Sequence, residues 1–298
     1  LKLSDKLKII SDKAFSNCYN FVGSLIISNS VNEIGSYSFW SCYGFDGELV
    51  LSNTIEKIPK HSFENCSNLI GSLTIHDTVT LIDSYAFNNC SCLNGELILS
   101  NNLTTINDNS FKNCKSLSKT LTIPNSVNFI GYNAFECCYF INGELKLPNV
   151  IDRILDKSFA NCSFCGSLVI PDSVTQIGSS SFQGCHFFDG TLVLSRNLVS
   201  INSCAFENCD NFKGSLILPD SIAYIDTRAF KGCSGFDGEL TLPNNNKFSF
   251  ISSHTFEDCS GFIGSLTIPE NVTEINKYAF NGCKNFNGNL YLSKKLIY

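Results

Sequence analysis

The chain has 298 residues and a net charge of −6, and its cations are scattered apart from a small group at Lys2, Lys6, Lys8 and Lys13. A nucleic-acid surface needs clustered cations to displace counterions, and a membrane-surface helix needs a basic amphipathic segment; neither pattern occurs. No apolar run approaches the roughly 20 residues that cross a bilayer.

In chain order, Leu1-Lys2-Leu3 shows the apolar-x-apolar spacing of a strand. The same spacing returns at Leu25/Ile27, Leu49/Leu51, Leu73/Ile75 and onward to Leu290/Leu292. A glycine opens each return, at Gly23, Gly47, Gly71, Gly95, Gly143, Gly166, Gly190, Gly214, Gly238, Gly264 and Gly288, with Lys119 standing in once. The period of about 24 residues means a solenoid, in which recurring columns form the core and varying positions the surface. After each strand a second apolar pair three apart, as in Val31/Ile34, Val127/Ile130, Val174/Ile177 and Val272/Ile275, predicts a further extended or turn segment. Phe and Cys then recur at i, i+3 from Phe15/Cys18 to Phe280/Cys283. This spacing predicts one short helical turn per coil, with both residues on one face.

Two slips interrupt the period. Gly143 to Gly166 is one residue short, where Cys165 sits, and Gly238 to Gly264 is two long, with the extra length between Asn244 and Phe250 predicted to bulge outward. No linker composition separates the units, so residues 1–298 are expected to form a single repeat domain with one core, a rod on the order of 55 Å long at about 4.8 Å per coil. Both ends cut through a repeat and no Met is present, which predicts a fragment of a longer protein, any signal peptide or membrane anchor lying in the absent flanks. A weaker two-unit period overlies the first, because the residue after the glycine alternates as Ser24, Glu48, Ser72, Glu96, Thr120, Glu144, Ser167, then Thr191 where Glu is due, Ser215, Glu239, Ser265 and Asn289. It points to growth by duplication of a 48-residue pair, and it places the glutamates along one side of the sheet.

Of the 16 cysteines, 12 belong to the repeat column, leaving Cys92, Cys137, Cys165 and Cys204. Column cysteines stack with parallel side chains that do not point at one another, so a buried thiol ladder is expected in place of disulfides. Cys162-Ser-Phe-Cys165 matches Cys-x-x-Cys, but its first member is a column residue and no second pair or nearby His completes a zinc set. The histidines His61, His76, His186 and His254 lie in different coils, and no nucleotide, metalloprotease or nucleophile-elbow motif occurs, so no catalytic, cofactor-binding or metal-binding residues are assigned and an enzyme is not expected. Asn-x-Ser/Thr at Asn65, Asn89, Asn102, Asn161 and Asn271 would bear glycans only in an exported chain, and three of these are Asn-Cys-Ser produced by the repeat.

The residue between the two core positions of each strand points outward: Ile26, Val50, Thr74, Ile98, Thr122, Lys146, Val169, Val193, Ile217, Thr241, Thr267 and Tyr291. Strand propensity alone accounts for β-branched residues there. A continuous apolar line flanked by Ser and Glu also suits a protein-contact stripe, with Ile98, Val169, Val193 and Ile217 near its middle and Glu96, Glu144 and Glu239 beside it.

Units such as Gly264-Ser-Leu-Thr-Ile-Pro-Glu-Asn-Val-Thr-Glu-Ile-Asn-Lys-Tyr-Ala-Phe-Asn-Gly-Cys283 and Gly166-Ser-Leu-Val-Ile-Pro-Asp-Ser-Val-Thr-Gln-Ile-Gly178 closely resemble the BspA-like leucine-rich repeat. The Cys-Ser-Gly-Phe-x-Gly-Ser/Glu-Leu joint at Cys233 and Cys259 is similar to that of the protozoan-type BspA-like surface antigens. The resemblance covers essentially the whole chain, and Lys119, Lys294-Lys295 and the two slips are its departures. It implies a leucine-rich-repeat fold and a cell-surface or secreted protein that works in adhesion, binding host or matrix proteins, or in cell aggregation, without cofactor. The rival reading is a cytoplasmic repeat scaffold that assembles protein partners, which a ladder of thiols would suit.

Overall fold

The computed structural model describes residues 3–139 and 143–297. Leu1 and Lys2 of the first apolar-x-apolar spacing, residues 140–142 and Tyr298 lie outside the described residues. The chain divides into two compact units, Leu1–Pro148 and Asn149–Tyr298. Each is a stack of coils of a parallel β-solenoid, and each coil contributes two strands of two residues.

The first strand row consists of Leu25–Ile26, Leu49–Val50, Leu73–Thr74, Leu97–Ile98, Leu121–Thr122 and Leu145–Lys146 in the first unit. In the second unit it consists of Leu168–Val169, Leu192–Val193, Leu216–Ile217, Leu240–Thr241, Leu266–Thr267 and Leu290–Tyr291. The second row lies where the apolar pairs three apart predict an extended segment, from Ile9–Ile10 to Phe129–Ile130 and from Arg153–Ile154 to Glu274–Ile275. Alternation across the strand sets which residue is buried. In the first row the leading Leu faces inward and its successor outward, as at Leu192–Val193, whereas in the second row the trailing Ile faces inward, as at Ser200–Ile201.

The two rows differ in continuity. First-row strands pair only in twos, for example Leu25↔Leu49, Leu73↔Leu97, Leu168↔Leu192 and Leu216↔Leu240. The second row runs through four strands from Lys57–Ile58 to Phe129–Ile130, and through four more from Arg153–Ile154 to Tyr224–Ile225. Where it stops, the chemistry is visible. The residue after each second-row strand donates its N–H to the preceding coil, Asp83 to the Ile58 carbonyl and Asn107 to that of Ile82, each at 2.9 Å. Pro59 occupies this position without an N–H to give, and Glu33–Ile34 does not pair with Lys57–Ile58. In the second unit the stop lies at the two-residue slip, where Ser252 Oγ donates to the Ile225 carbonyl at 2.5 Å. The inserted stretch exposes Asn246 and Lys247, as the expected outward loop, yet Phe248 folds inward and fills the buried column of Ile222 and Val272. The other slip is absorbed beside Phe164, which stays buried and stacks on Phe188 at 6.0 Å.

The third side of each coil corrects the sequence-based expectation. No helix occurs among the described residues, and Phe-x-x-Cys lies in a chain of turns. Two residues of each coil, two before and two after the Phe, hold positive φ, for example Tyr37 (58°) and Ser41 (58°) around Phe39, and Cys204 (57°) and Asn208 (61°) around Phe206. A left-handed residue ends a right-handed helix before it can propagate. The backbone therefore alternates its bonding: Ser62, Glu64 and Cys66 N–H groups bond three residues back, while His61, Phe63 and Asn65 N–H groups reach Ser84, Ala86 and Asn88 carbonyls of the next coil. The i, i+3 spacing thus reports neighbouring turns on one face. The unread signal was the residue before each column cysteine, Asn17, Asn65, Asn89, Asn113, Asn161, Gly184, Asn208, Gly232 or Gly282 in nine of the coils, types that tolerate this conformation.

Between the three sides the core is a set of stacks. Rings from Phe15 to Phe135 lie 5.2–5.5 Å apart in the first unit, and those from Phe159 to Phe280 lie 5.2–5.7 Å apart in the second. Column thiols lie beside them and donate Sγ–H to the Phe carbonyl of the coil before, Cys66 to Phe39 at 3.1 Å, Cys209 to Phe182 at 3.0 Å and Cys233 to Phe206 at 3.0 Å. Desolvation holds Cys66, Cys90, Cys209, Cys233 and Cys259 well above the usual thiol range. It raises Cys42 to about 11, and Cys185 and Cys283 to about 12. On the turn side a half-buried polar column links coils: Glu64 accepts from Trp40 Nε1 at 3.0 Å and Asn88 Nδ2 at 2.8 Å, Lys112 pairs with Glu136 at 2.6 Å, and Lys231 pairs with Glu257 at 2.6 Å.

Candidate functional site

The outward column of the first strand row is formed as the alternation requires. Ile98 is 46% exposed, Val169 56%, Val193 48% and Ile217 64%, while the Leu or Ile residues on either side of them in sequence are buried core. Val169 and Val193 are direct cross-strand partners. Ile217 follows in the next coil and pairs with Thr241. In the second unit these three form a short apolar run flanked by Ser167, Thr191 and Ser215, without a charged residue in the adjoining column. Ile98 lies in the first unit beside Thr74, where a shallow depression of about 600 Å³ is lined by Asn53, His76, Asp77, Ile98, Leu99 and Asn101.

The predicted glutamates are exposed or half-buried at the start of this row, and two are partly neutralised. Glu96 carries Lys119 at 3.2 Å, the lysine that replaces the glycine, and Glu144 has Lys146 at 3.8 Å. Glu239 N–H donates to Ser215 Oγ at 3.0 Å, as Glu48 does to Ser24 and Glu96 does to Ser72, both at 3.1 Å. The Ser member of this column therefore bonds the two coils of a pair through a backbone N–H, as it also does where Thr191 or Asn289 stands in place of Glu. Sequence reading missed its counterpart, in which Asp46, Asn94, Asp189, Asp237 and Asn287 reach back to the N–H of Gly23, Gly71, Gly166, Gly214 and Gly264 at 2.7–2.9 Å. Its signal was the Asp/Asn-Gly dipeptide that opens only every second coil.

Two of the histidines, His61 and His254, have structural roles on the turn side. His61 stacks between Tyr37 at 4.3 Å and Tyr85 at 4.7 Å, with Nδ1 on Glu64 at 2.5 Å. His254 contacts Glu257 at 2.8 Å and Tyr278 at 5.1 Å between ring centroids. No cluster of metal-ligating side chains occurs among the described residues. Cys162 is buried in the column and Cys165 is half-buried. The asparagines of the repeat-derived Asn-Cys-Ser motifs hold positive φ, and Asn113, Asn89 and Asn65 are chained by side-chain amide bonds of 2.8 Å. No helix among the described residues is long and apolar enough to cross a membrane. Within each unit, an open strand face with exposed apolar residues and shallow relief suits contact with another macromolecular surface and poorly suits enclosure of a small molecule.

Among known families, the one described as BspA type leucine rich repeat region (6 copies) matches residues 1–94, 92–213 and 199–297. No curated protein matches the chain in sequence. Among solved structures, a leucine-rich repeat protein from Bacteroides ovatus is 23% identical with a TM-score of 0.66, covering 98% of this chain and 78% of its own. A leucine rich cell surface protein from Faecalibacterium prausnitzii is 22% identical with a TM-score of 0.53, covering 96% and 83%. The pneumococcal vaccine antigen PcpA is 17% identical with a TM-score of 0.52, covering 97% and 85%. These likenesses are of fold.

Proposed function

The chain belongs to the BspA-type leucine-rich-repeat family, and from that premise we propose that it is a non-enzymatic, cell-surface or secreted adhesion domain. It binds a host protein, a matrix protein or a protein of the same cell surface through the outer face of its first strand row. The observation that carries this reading is the exposed run of Val169, Val193 and Ile217 on three successive coils. Ile98 supplies an equivalent apolar point in the first unit, with Glu96, Glu144 and Glu239 at the start of the row. Central apolar residues then carry most of the binding energy, and the carboxylates act on association rate and salt dependence. Support for a surface role comes from the structural neighbours named as a cell surface protein and a vaccine antigen.

The paired substitution Val169→Lys and Val193→Lys tests it, because both side chains point away from the core. Binding to matrix proteins or cells is expected to fall at least about tenfold, the scale of one hot-spot residue, with an unchanged circular dichroism spectrum. Undiminished binding by the folded variant rules out this face. The second reading, a cytoplasmic scaffold, is favoured by the column of buried thiols, which a reducing compartment preserves. Surface biotinylation of intact cells separates the two, since a scaffold stays unlabelled until the cells are opened.

A further inference from the structure

We propose that each unit is built and flexes in two-coil blocks, with hinges between blocks that open on the candidate binding face and pivot on the second strand row and the turn side. The inference rests on backbone bonding and stands whether or not that face binds a partner.

Within a block, the first-row interface is fully bonded. In the block opened by Gly166, Leu168 and Ile170 donate to the carbonyls of Thr191 and Val193 at 3.0 and 2.8 Å, Gly190 N–H bonds the Gly166 carbonyl at 3.0 Å, Thr191 N–H bonds Ser167 Oγ at 2.9 Å, and Gly166 N–H bonds Asp189 Oδ1 at 2.7 Å. The same set recurs in the block opened by Gly214, where Leu216 and Leu218 donate to Glu239 and Thr241, both at 3.0 Å. The contact is also close: a Cβ on Gly47 would meet Ser24 Oγ at 2.5 Å.

Between blocks the strands do not pair. The joint retains one backbone bond at this edge, from Ile70 to Gly47 at 3.0 Å, Ser118 to Gly95 at 3.1 Å, Lys213 to Gly190 at 2.8 Å and Ile263 to Gly238 at 3.0 Å. In the first unit this bond belongs to isolated bridges, Glu48↔Ile70 and Glu96↔Ser118. They sit two residues out of the register that the strands keep inside a block, Leu25↔Leu49. The residue that turns the chain there has positive φ, 83° at Gly71 and 78° at Gly264.

The second row has the complementary pattern. It is paired across every one of these joints: Lys57↔Leu81, Thr105↔Phe129, Ser200↔Tyr224 and Phe250↔Glu274. Its own interruptions, at Pro59 and at the insertion before Phe250, fall inside blocks, where the first row is intact. The turn side is bonded across the joints as well, Phe63 to Ala86 at 2.9 Å and Phe111 to Ala134, Phe206 to Ala229 and Phe256 to Ala279 each at 2.8 Å, so every joint is held on two sides and loose only at the first row, which is the arrangement of a hinge. Opening changes the separation of outward residues on opposite sides of a joint, such as Val193 and Ile217, and leaves pairs inside a block, such as Val169 and Val193, fixed.

Site-resolved hydrogen exchange on the intact chain tests this. Amides of Leu168, Ile170, Leu216 and Leu218, and of Asp226 in the second row across a joint, are expected to exchange at least about tenfold more slowly than those of Leu192, Leu194, Leu240 and Leu242, which face joints; sub-global opening has this signature. Equal protection of the two first-row sets overturns the proposal. Deletion supplies a second measurement. Removing residues 191–238, two coils, leaves every remaining interface of a type already present, whereas removing residues 191–214, one coil, brings two leading coils together. Cooperative unfolding retained by the first variant and lost by the second supports the two-coil block, and equal stability of the two overturns it. If neither folds, the exchange pattern of the intact chain decides.

Discussion

At the scale of single residues, the small column immediately before each column Phe is Ala in some coils and Ser or Thr in others, and the structure separates the two chemistries. The hydroxyls of Ser38, Ser62, Ser110 and Ser181 are buried without a hydrogen-bond partner, whereas Ala86 and Ala134 fill equivalent positions with no polar atom. An unsatisfied buried hydroxyl costs about 1–3 kcal/mol. Ser62→Ala and Ser110→Ala are therefore each expected to stabilise the protein by about 1 kcal/mol, read as a raised urea midpoint with unchanged slope. Glu257 makes a pH prediction. Its carboxyl is held down at about 2, against an ordinary 4.5, first by the hydrogen bond from Lys231 and then by His254 and Asn281. The folded state binds this proton less readily than the unfolded state, so the contribution is complete above pH 4.5 and is lost as the pH falls towards 2. Lys231→Ala is expected to flatten the acid limb of the stability profile over that window, and an unchanged limb would exclude the pair as its source.

At the scale of elements, the thiol column acts through its protons. Each Sγ–H donated to a Phe carbonyl links two coils, and burial opposes the thiolate. Unfolded thiols ionise from about 9, while Cys42, Cys185 and Cys283 hold their protons to about 11–12. The stabilisation is complete below 9 and disappears as the pH rises through that interval. Alkaline unfolding is expected to begin there, and a thiol reagent at neutral pH is expected to reach few column cysteines before denaturant is added and most of them afterwards. Rapid labelling of Cys209 or Cys233 in the native protein would contradict this burial. The two strand rows and their inward residues were legible because Leu-x-Ile and Val-x-x-Ile report side-chain burial, which alternation fixes. The turn side was misread as helix because Phe-x-x-Cys has the same spacing in both; only Asn65 or Gly232, which adopt positive φ, distinguish them, and that is a backbone property with no apolar period.

At the scale of the whole molecule, a repeat structure distributes stability through neighbour contacts, so the cost of a core lesion depends on how many neighbours the site has. Phe206 is fully buried between Phe182 and Phe230, whereas Phe280 is half-buried and stacks on Phe256. Phe206→Ala is expected to cost about 3–5 kcal/mol and Phe280→Ala roughly half of that or less, measured by denaturant titration under identical conditions. Equal costs would show that the second unit responds as one globular core. The candidate binding residues were legible as outward positions for the same reason as the core, by alternation. Their grouping into blocks was not, because Pro59, the Asp/Asn-Gly dipeptides and the Ser/Glu column each affect a backbone bond to a coil some 24 residues away.

Trp40 is the only tryptophan in the chain, and its indole N–H is bonded to Glu64 within the first unit. Its emission is therefore an optical label placed by nature on Leu1–Pro148 alone, reporting the loss of one specific intercoil bond, while far-ultraviolet ellipticity averages over both units. A melt followed at both wavelengths on one unlabelled sample thus gives the unfolding of Asn149–Tyr298 by difference, without a domain having to be excised or a dye attached.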